Sequence, residues 1–281
     1  MQTRGKYYGP AMMLCAALCF SIGGLLLKYI PWSALAINGA RNVVAAVVIG
    51  IYLIVTRHRL KFNFTVAVGA ICLFGVTTLF SMANKMTTAG NAIVLQYTAP
   101  VWIIILMALF FRKKPAKLEI ITIIIVIVGI AFFLFDSLGN GHMIGDILAL
   151  ISGIFYAGVF MLNSFEKGDA LSSIFFGQVL SAVTLTPLVA GETDFSANVV
   201  AAVFILGAVQ VGLAYIFFNQ GTKYTGPVTA SIINAIEPIL NPVWVAIFIG
   251  EVLTPFSLVG AGIVVAAIVV YNIKSIREAG K

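Results

Sequence analysis

The sequence predicts an all-α membrane protein of ten transmembrane helices, built as two inverted five-helix repeats. Three observations carry this. First, the 281 residues are 61% apolar and only 10% charged, with a mean hydropathy of +1.07, where a soluble domain carries about 25% charged residues. Second, apolar runs of about 20 residues, each long enough to cross a bilayer core of about 30 Å, recur along the chain with short connections. Third, the halves repeat. A shift of 138 lays Lys85 on Lys223, Ala92 on Ala230, Gln96 on Asn234 and Pro100 on Pro238, and a shift of 136 lays Gly9 on Gly145 and Phe20 on Tyr156. A five-span unit is odd, so the second unit enters the membrane upside down.

The spans are expected at 9–28, 34–56, 65–84, 89–111, 118–135, 143–162, 171–190, 198–220, 225–249 and 254–273. One transmembrane domain is expected over residues 1–281, with repeat one at 7–136 and repeat two at 143–273. Arg4 and Lys6 ahead of the first run resemble a signal peptide, but the run is long and further spans follow, so an uncleaved first helix is expected. Cys15, Cys19 and Cys72 lie inside apolar runs, which fits packing better than a disulfide framework or a metal site.

Basic residues orient the bundle. With both termini cytoplasmic, all but three of the 17 Lys and Arg fall in cytoplasmic segments; the exceptions are Lys28 and Lys85 outside and Arg41 within the second span. The outer segments carry acids instead: Asp136, Asp146, Glu192, Asp194 and Glu251.

The second span holds Arg41 about eight residues in, about 12 Å from its outer end at 1.5 Å per residue. Asn38 shares nearly the same face, Asn42 is adjacent, and Gln178 occupies the matching place in repeat two. A buried guanidinium suits a carboxylate or phosphate of the cargo; the alternative is an arginine snorkelling to the outer headgroups. In the fourth span, Asn91 and Gln96 mirror Thr229 and Asn234 of the ninth, so amides approach from both repeats, as cargo ligands or as helix glue.

The ninth span is the centre of the functional reading. Glu237 is read as the only carboxylate well inside an apolar run, and a carboxylate at that depth is costly unless it faces protein or water. Asn234, Glu237, Asn241 and Trp244 follow at spacings of three, four and three, which places them on one face of a helix. Pro238 and Pro242 cannot donate to the carbonyls of Asn234 and Pro238, so backbone acceptors are freed beside the acid. Pro100 and Pro238 are the expected kinks. Tyr97, Trp102, Tyr156, Tyr215 and Trp244 are candidates for an aromatic wall, against the alternative of an interfacial belt. Ala208 with Gly212 and Gly226 with Ala230 read as small-xxx-small helix contacts.

Enzyme chemistry finds little footing. No P-loop and no H-E-x-x-H motif occurs, and His58 and His142 lie in or near loops, away from any intramembrane nucleophile. Gly260-x-Gly262 lies in an apolar run without the strand–turn–helix setting of a dinucleotide site. No cofactor, metal or nucleic acid is expected.

Ala16 to Lys28 (A-A-L-C-F-S-I-G-G-L-L-L-K), Arg41, Ala89 to Pro100 (A-G-N-A-I-V-L-Q-Y-T-A-P) and Ala230 to Glu251 together resemble the drug/metabolite transporter superfamily, EamA type. The resemblance implies a ten-helix inverted-repeat carrier, most often an exporter of amino acids, related metabolites or drugs. One departure is Arg112-Lys113-Lys114 at the end of the fourth span, where the family often has Gly-Glu.

The expected function is secondary-active export of a small metabolite, amino acids first, by alternating access in the inner or plasma membrane, with Glu237 as binding and proton-coupling residue. Multidrug or cation efflux is the alternative, with an intramembrane enzyme or receptor behind it. The partners are then a small-molecule substrate, protons and the lipid bilayer, with one chain sufficient to enclose a pathway.

Overall fold

The computed structural model describes residues 5–112, 114–162, 165, 167–225, 230 and 233–279. The expectations for Arg4, Lys113, Gly226, Thr229 and Lys281 concern residues outside these. Among the described residues every regular element is a helix. Among them, eight spans are long and apolar enough to cross a membrane, from Tyr7–Tyr29 to Ala197–Tyr224. Two shorter apolar helices, Glu237–Ile249 and Pro255–Tyr271, follow where the ninth and tenth spans are expected. With no water in the hydrocarbon, every backbone polar group must be bonded within the protein, which these spans achieve as helices.

Span starts are set by short polar caps. Ser33, Asn63, Thr88 and Asp169 each accept a hydrogen bond from the backbone N–H three residues on, opening α3 (Ala34–Val55), α4 (Phe64–Met86), α5 (Ala89–Gln96) and α9 (Ala170–Leu185). Gly250, at φ +79°, ends the ninth-span helix in the left-handed conformation that glycine adopts without strain.

Packing follows the two-repeat plan. The first span, α1 (Gly5–Ser21) and α2 (Gly23–Tyr29), lies along the eighth through α11 (Ala214–Tyr224); the sixth span, α8 (Met143–Met161), lies along the third, α4. Span two packs on span seven, and α7 (Lys117–Asn140) on the tenth-span helix α13 (Pro255–Ala279). One contact occurs twice. A Cβ added at Gly9 would fall 2.9 Å from the Tyr224 carbonyl carbon, and one at Gly145 would fall 2.7 Å from that of Met86. Gly145 lies 136 residues from Gly9 and Met86 lies 138 from Tyr224. Each repeat thus seats its first helix against the chain leaving the other repeat's third span, and only glycine admits that backbone approach.

The lipid-facing perimeter is apolar and exposed, with Val47, Ile51, Ile54, Ile121, Ile124 and Phe204 among its members. Two apolar clusters sit inside. One joins Leu27, Trp32, Ile37, Ile93 and Leu206; the other joins Met13, Phe20, Leu73, Tyr156, Val211 and Tyr215.

On the face that carries the chain termini, Asp169 does more than cap α9. It receives the Ser172 N–H at 2.8 Å and lies 3.2 Å from His58 Nε2 and 3.8 Å from Lys61 Nζ. Burial pushes this carboxyl upward, but the Ser172 hydrogen bonds and the His58 pairing outweigh it and hold it below the ordinary carboxylate value. A depressed pKa stabilises the folded state fully above the unfolded value of about 4 and loses that contribution as pH falls through the folded value. Asp169→Ala is expected to cost about 0.5–2 kcal/mol at neutral pH. Thermal melts in detergent should show the gap between variant and parent narrowing as pH falls below the ordinary carboxylate range; a gap that persists in strong acid would mean a role independent of charge.

Candidate functional site

Three spans break at the middle of the bundle. The first breaks at Ile22, between α1 and α2. The fourth breaks at Tyr97–Thr98, between α5 and α6 (Ala99–Phe111). The ninth breaks at Ala235–Ile236, ahead of α12 (Glu237–Ile249). Pro100 and Pro238 each stand second in the helix after a break, where a missing N–H costs least. The carbonyl of Asn234, freed by Pro238, accepts the Tyr97 hydroxyl proton, and the Asn234 side-chain amide donates back to the Tyr97 oxygen. The two proline breaks, one from each repeat, are therefore tied to each other.

In the eighth span a π-helix, Leu206–Leu213, replaces the α-helical ladder between α10 (Ala197–Ile205) and α11. Two small residues of this π turn, Gly207 and Gly212, five apart, admit α3 closely. A Cβ at Gly207 would lie 2.5 Å from the Arg41 carbonyl oxygen, and one at Gly212 would lie 2.9 Å from Val48 Cγ1. The wider π turn brings residues five apart onto one face, a register that an α-helical reading of the sequence does not contain.

These elements line a cavity of about 40 Å³ whose polar lining is Arg41, Thr77, Gln96, Tyr156, Gln210, Tyr215 and Glu237, with Phe20, Val76, Phe80 and Val211 between them. Arg41 is 2% exposed and so does not reach a headgroup layer. Its Nε and Nη2 donate to Asn38 Oδ1 at 3.1 and 2.9 Å, and Nη2 also reaches Ser81 Oγ at 2.9 Å and the Thr77 carbonyl at 3.2 Å. Nη1 has Gln210 Oε1 at 3.4 Å. Asn38 is held in turn by the Thr78 hydroxyl at 3.0 Å and the Asn42 amide at 3.0 Å. Glu237 is 5% exposed and has the Asn234 amide 3.4 Å away. Among the described residues no ion pair joins Arg41 to Glu237; the pairs found are those of Lys28 with Glu251 and of His58 and Lys61 with Asp169. The cavity thus presents a guanidinium and a carboxyl group that do not pair with each other.

The structure separates the other sequence candidates. Gln96 and Tyr156 line the cavity, and Gln96 donates to Ser152 Oγ at 3.2 Å. Asn38 stands behind the lining residue Arg41 and holds it in place, whereas Tyr97 and its partner Asn234 both lie outside the lining. Asn241 is fully buried but outside the lining, packed against Gly24 of α2. Trp244 donates to Ser21 Oγ at 3.1 Å on α1, and Trp102 donates to Thr98 Oγ1 at 3.2 Å. Gln178 is fully buried on α9 and outside the lining. The single helix face expected for Asn234, Glu237, Asn241 and Trp244 is interrupted at residues 235–236, and the break points only Glu237 into the cavity. Asn91 turns away too: its amide lies 3.4 Å from Asp146, which also accepts the Thr87 hydroxyl at 2.6 Å. Asp146, read as an outer-segment acid, is fully buried, so Glu237 is not the only carboxylate taken out of water. Gln210 carries no mark in the sequence beyond being a lone amide in an apolar run.

At the face opposite the termini the half-helices are clamped together. Lys28 on α2 pairs with Glu251, just past α12, at 2.8 Å and donates to the Thr87 carbonyl at 2.8 Å. Glu251 also accepts the Ala89 N–H of α5 at 2.6 Å.

Ten apolar helices in two repeats, broken at mid-depth around a cavity with a guanidinium and a carboxyl group on its walls, have the build of a membrane carrier. The chain belongs to the EamA-like transporter family, whose pattern matches residues 7–135 and again 143–273. It is 24% identical over 204 residues to the threonine/homoserine exporter RhtA of Escherichia coli strain K12, covering 70% of this chain and 67% of the exporter. It is 28% identical over 206 residues to an uncharacterised transporter of Archaeoglobus fulgidus, covering 72% and 73% of the two chains. A solved crystal structure with 15% identity superimposes at a TM-score of 0.67, covering 95% of this chain and 98% of the other, a likeness of fold alone.

Proposed function

We propose that this chain is a secondary-active exporter of small metabolites, amino acids first, working by alternating access at the cavity between its two repeats. The observation that carries the reading is the placement of Arg41 and Glu237 on one small cavity without a bond between them. A buried charge without a partner is costly. A cargo bearing both carboxylate and ammonium groups would satisfy both, the first at Arg41 and the second at Glu237. The similarity to a threonine/homoserine exporter supports amino acids as the first class to test. In this reading Tyr97 and Asn234 hold the two breaks in register, and the Lys28–Glu251 clamp closes one entrance. Counterflow in reconstituted vesicles tests it: labelled L-threonine should exchange against unlabelled L-threonine inside, and an absence of exchange across the amino acids would reject the cargo class.

Cation efflux is the second reading. It is favoured by the aromatic share of the cavity wall, Phe20, Phe80, Tyr156 and Tyr215 around one carboxylate, since ring faces attract organic cations. Export of a lipophilic cation with no response to amino acids would select it.

Both readings take the termini as cytoplasmic, from the basic residues on that face. A cysteine placed at Gly191, where a side chain meets open space, should be labelled by an impermeant maleimide added to intact cells, and one at Lys114 should not. The reverse pattern would turn the protein over.

A further inference from the structure

We infer that Gln210 is a cargo-sensing residue: its side-chain oxygen stands on Arg41 Nη1, the guanidinium nitrogen bonded to nothing else among the described residues, and an anionic oxygen of the cargo displaces it. The inference rests on the reading of Arg41 as the group that binds the cargo's anionic end.

The bonds of Arg41 divide into two sets. Nε and Nη2 are fixed by Asn38, Ser81 and the Thr77 carbonyl at 2.9 to 3.2 Å. These partners sit on α3 and α4 and hold the guanidinium plane still. Nη1 meets only Gln210 Oε1, at 3.4 Å, the longest contact of the set and near the limit for a hydrogen bond. Both residues line the cavity, so an incoming oxygen reaches Nη1 from the side where Gln210 now stands. A carboxylate or phosphate adds full charge pairing and a second acceptor oxygen to what a neutral amide oxygen offers a guanidinium. The exchange therefore runs downhill for a carboxylate or a phosphate and not for a neutral cargo.

The place of Gln210 also gives the exchange a consequence. A Cβ at Gly23 would lie 2.9 Å from Gln210 Nε2, so the amide end occupies a notch that only glycine leaves open. Gly23 is the first residue of α2, the half-helix that carries Lys28 of the clamp with Glu251. An amide leaving Arg41 thus changes the packing at the base of α2. Gln210 is carried by the π-helix, a departure from α geometry that recurs where side chains must be aimed.

The test uses the purified full-length protein and thermal-shift titration with each proteinogenic L-amino acid. The strongest binder is then compared with its own α-amide, which lacks the negative charge. Gln210→Met keeps the length but removes the competing oxygen, and should raise affinity for the acid about three- to tenfold while leaving the α-amide unchanged. Gln210→Glu places a carboxylate on Arg41 and should lower affinity for the acid more than tenfold. Reduced or unchanged affinity in Gln210→Met, with the acid still preferred over its α-amide in the parent protein, would overturn the inference alone. If the parent does not distinguish acid from α-amide, or binds no amino acid, the reading of Arg41 falls and takes the inference with it. A purely structural Gln210 would lower the melting temperature in both variants without moving the acid-to-amide ratio.

Discussion

Glu237→Gln should abolish gradient-driven accumulation of cargo while leaving exchange of cargo across the membrane intact. The substitution keeps shape and hydrogen bonding but removes a proton that can come and go. Glu237 is the carboxylate on the cavity wall, with one amide neighbour, Asn234, at 3.4 Å. No cation lies within ion-pair distance of it among the described residues. Its charge is therefore compensated by what enters the cavity, either a proton or the ammonium of a cargo. If protons and cargo alternate at Glu237, the amide variant cycles loaded carriers in both directions but cannot couple them to a proton gradient. If Glu237 instead anchors a cargo ammonium, affinity itself collapses, by about 2–5 kcal/mol for a buried charge left unpaired. Exchange and uphill uptake measured on the same vesicles separate these outcomes. An unchanged affinity together with an unchanged gradient dependence would leave Glu237 a packing residue.

Arg41→Lys should weaken binding of an anionic cargo about tenfold or more although the charge is kept, and should also lower stability. A lysine ammonium has three donors at one point, whereas the guanidinium spans Asn38, Ser81, Thr77 and Gln210 at once. The variant leaves some of these buried acceptors without a donor, at about 1–3 kcal/mol for each group stranded. Thermal melts report the structural cost, and binding to the folded fraction reports the functional one. Equal affinity in Arg41→Lys and the parent, beside a lowered melting temperature, would confine Arg41 to joining α3 to α4.

Part of the site is legible in the sequence and part is not. Arg41 and Glu237 stood out because a formal charge inside an apolar run is costly enough to be rare. Gln96 and Tyr156 were reached through the repeat. Gln210, Thr77 and Ser81 were passed over because single amides and hydroxyls cost little in a helix and are common there. Asn241, Trp244 and Gln178 share the polarity of the true lining and differ only in the direction they face.

The spans, their number and their two-fold repetition were determined by the sequence alone. A bilayer fixes the length of an apolar helix and forbids open backbone, so composition and run length specify the elements with little help from packing. The proline breaks in the fourth and ninth spans also follow from the chain, since a missing N–H acts locally. Only the tertiary structure decided the rest: the break at Ile22, the π turn at Leu206–Leu213, the Tyr97–Asn234 tie, the burial of Asp146 and the clamp of Lys28 with Glu251. Each of these depends on the register between spans far apart in the chain. That register is set by which glycines let two backbones approach, Gly9 against Tyr224, Gly145 against Met86 and Gly207 against Arg41. A glycine in a sequence does not name its partner.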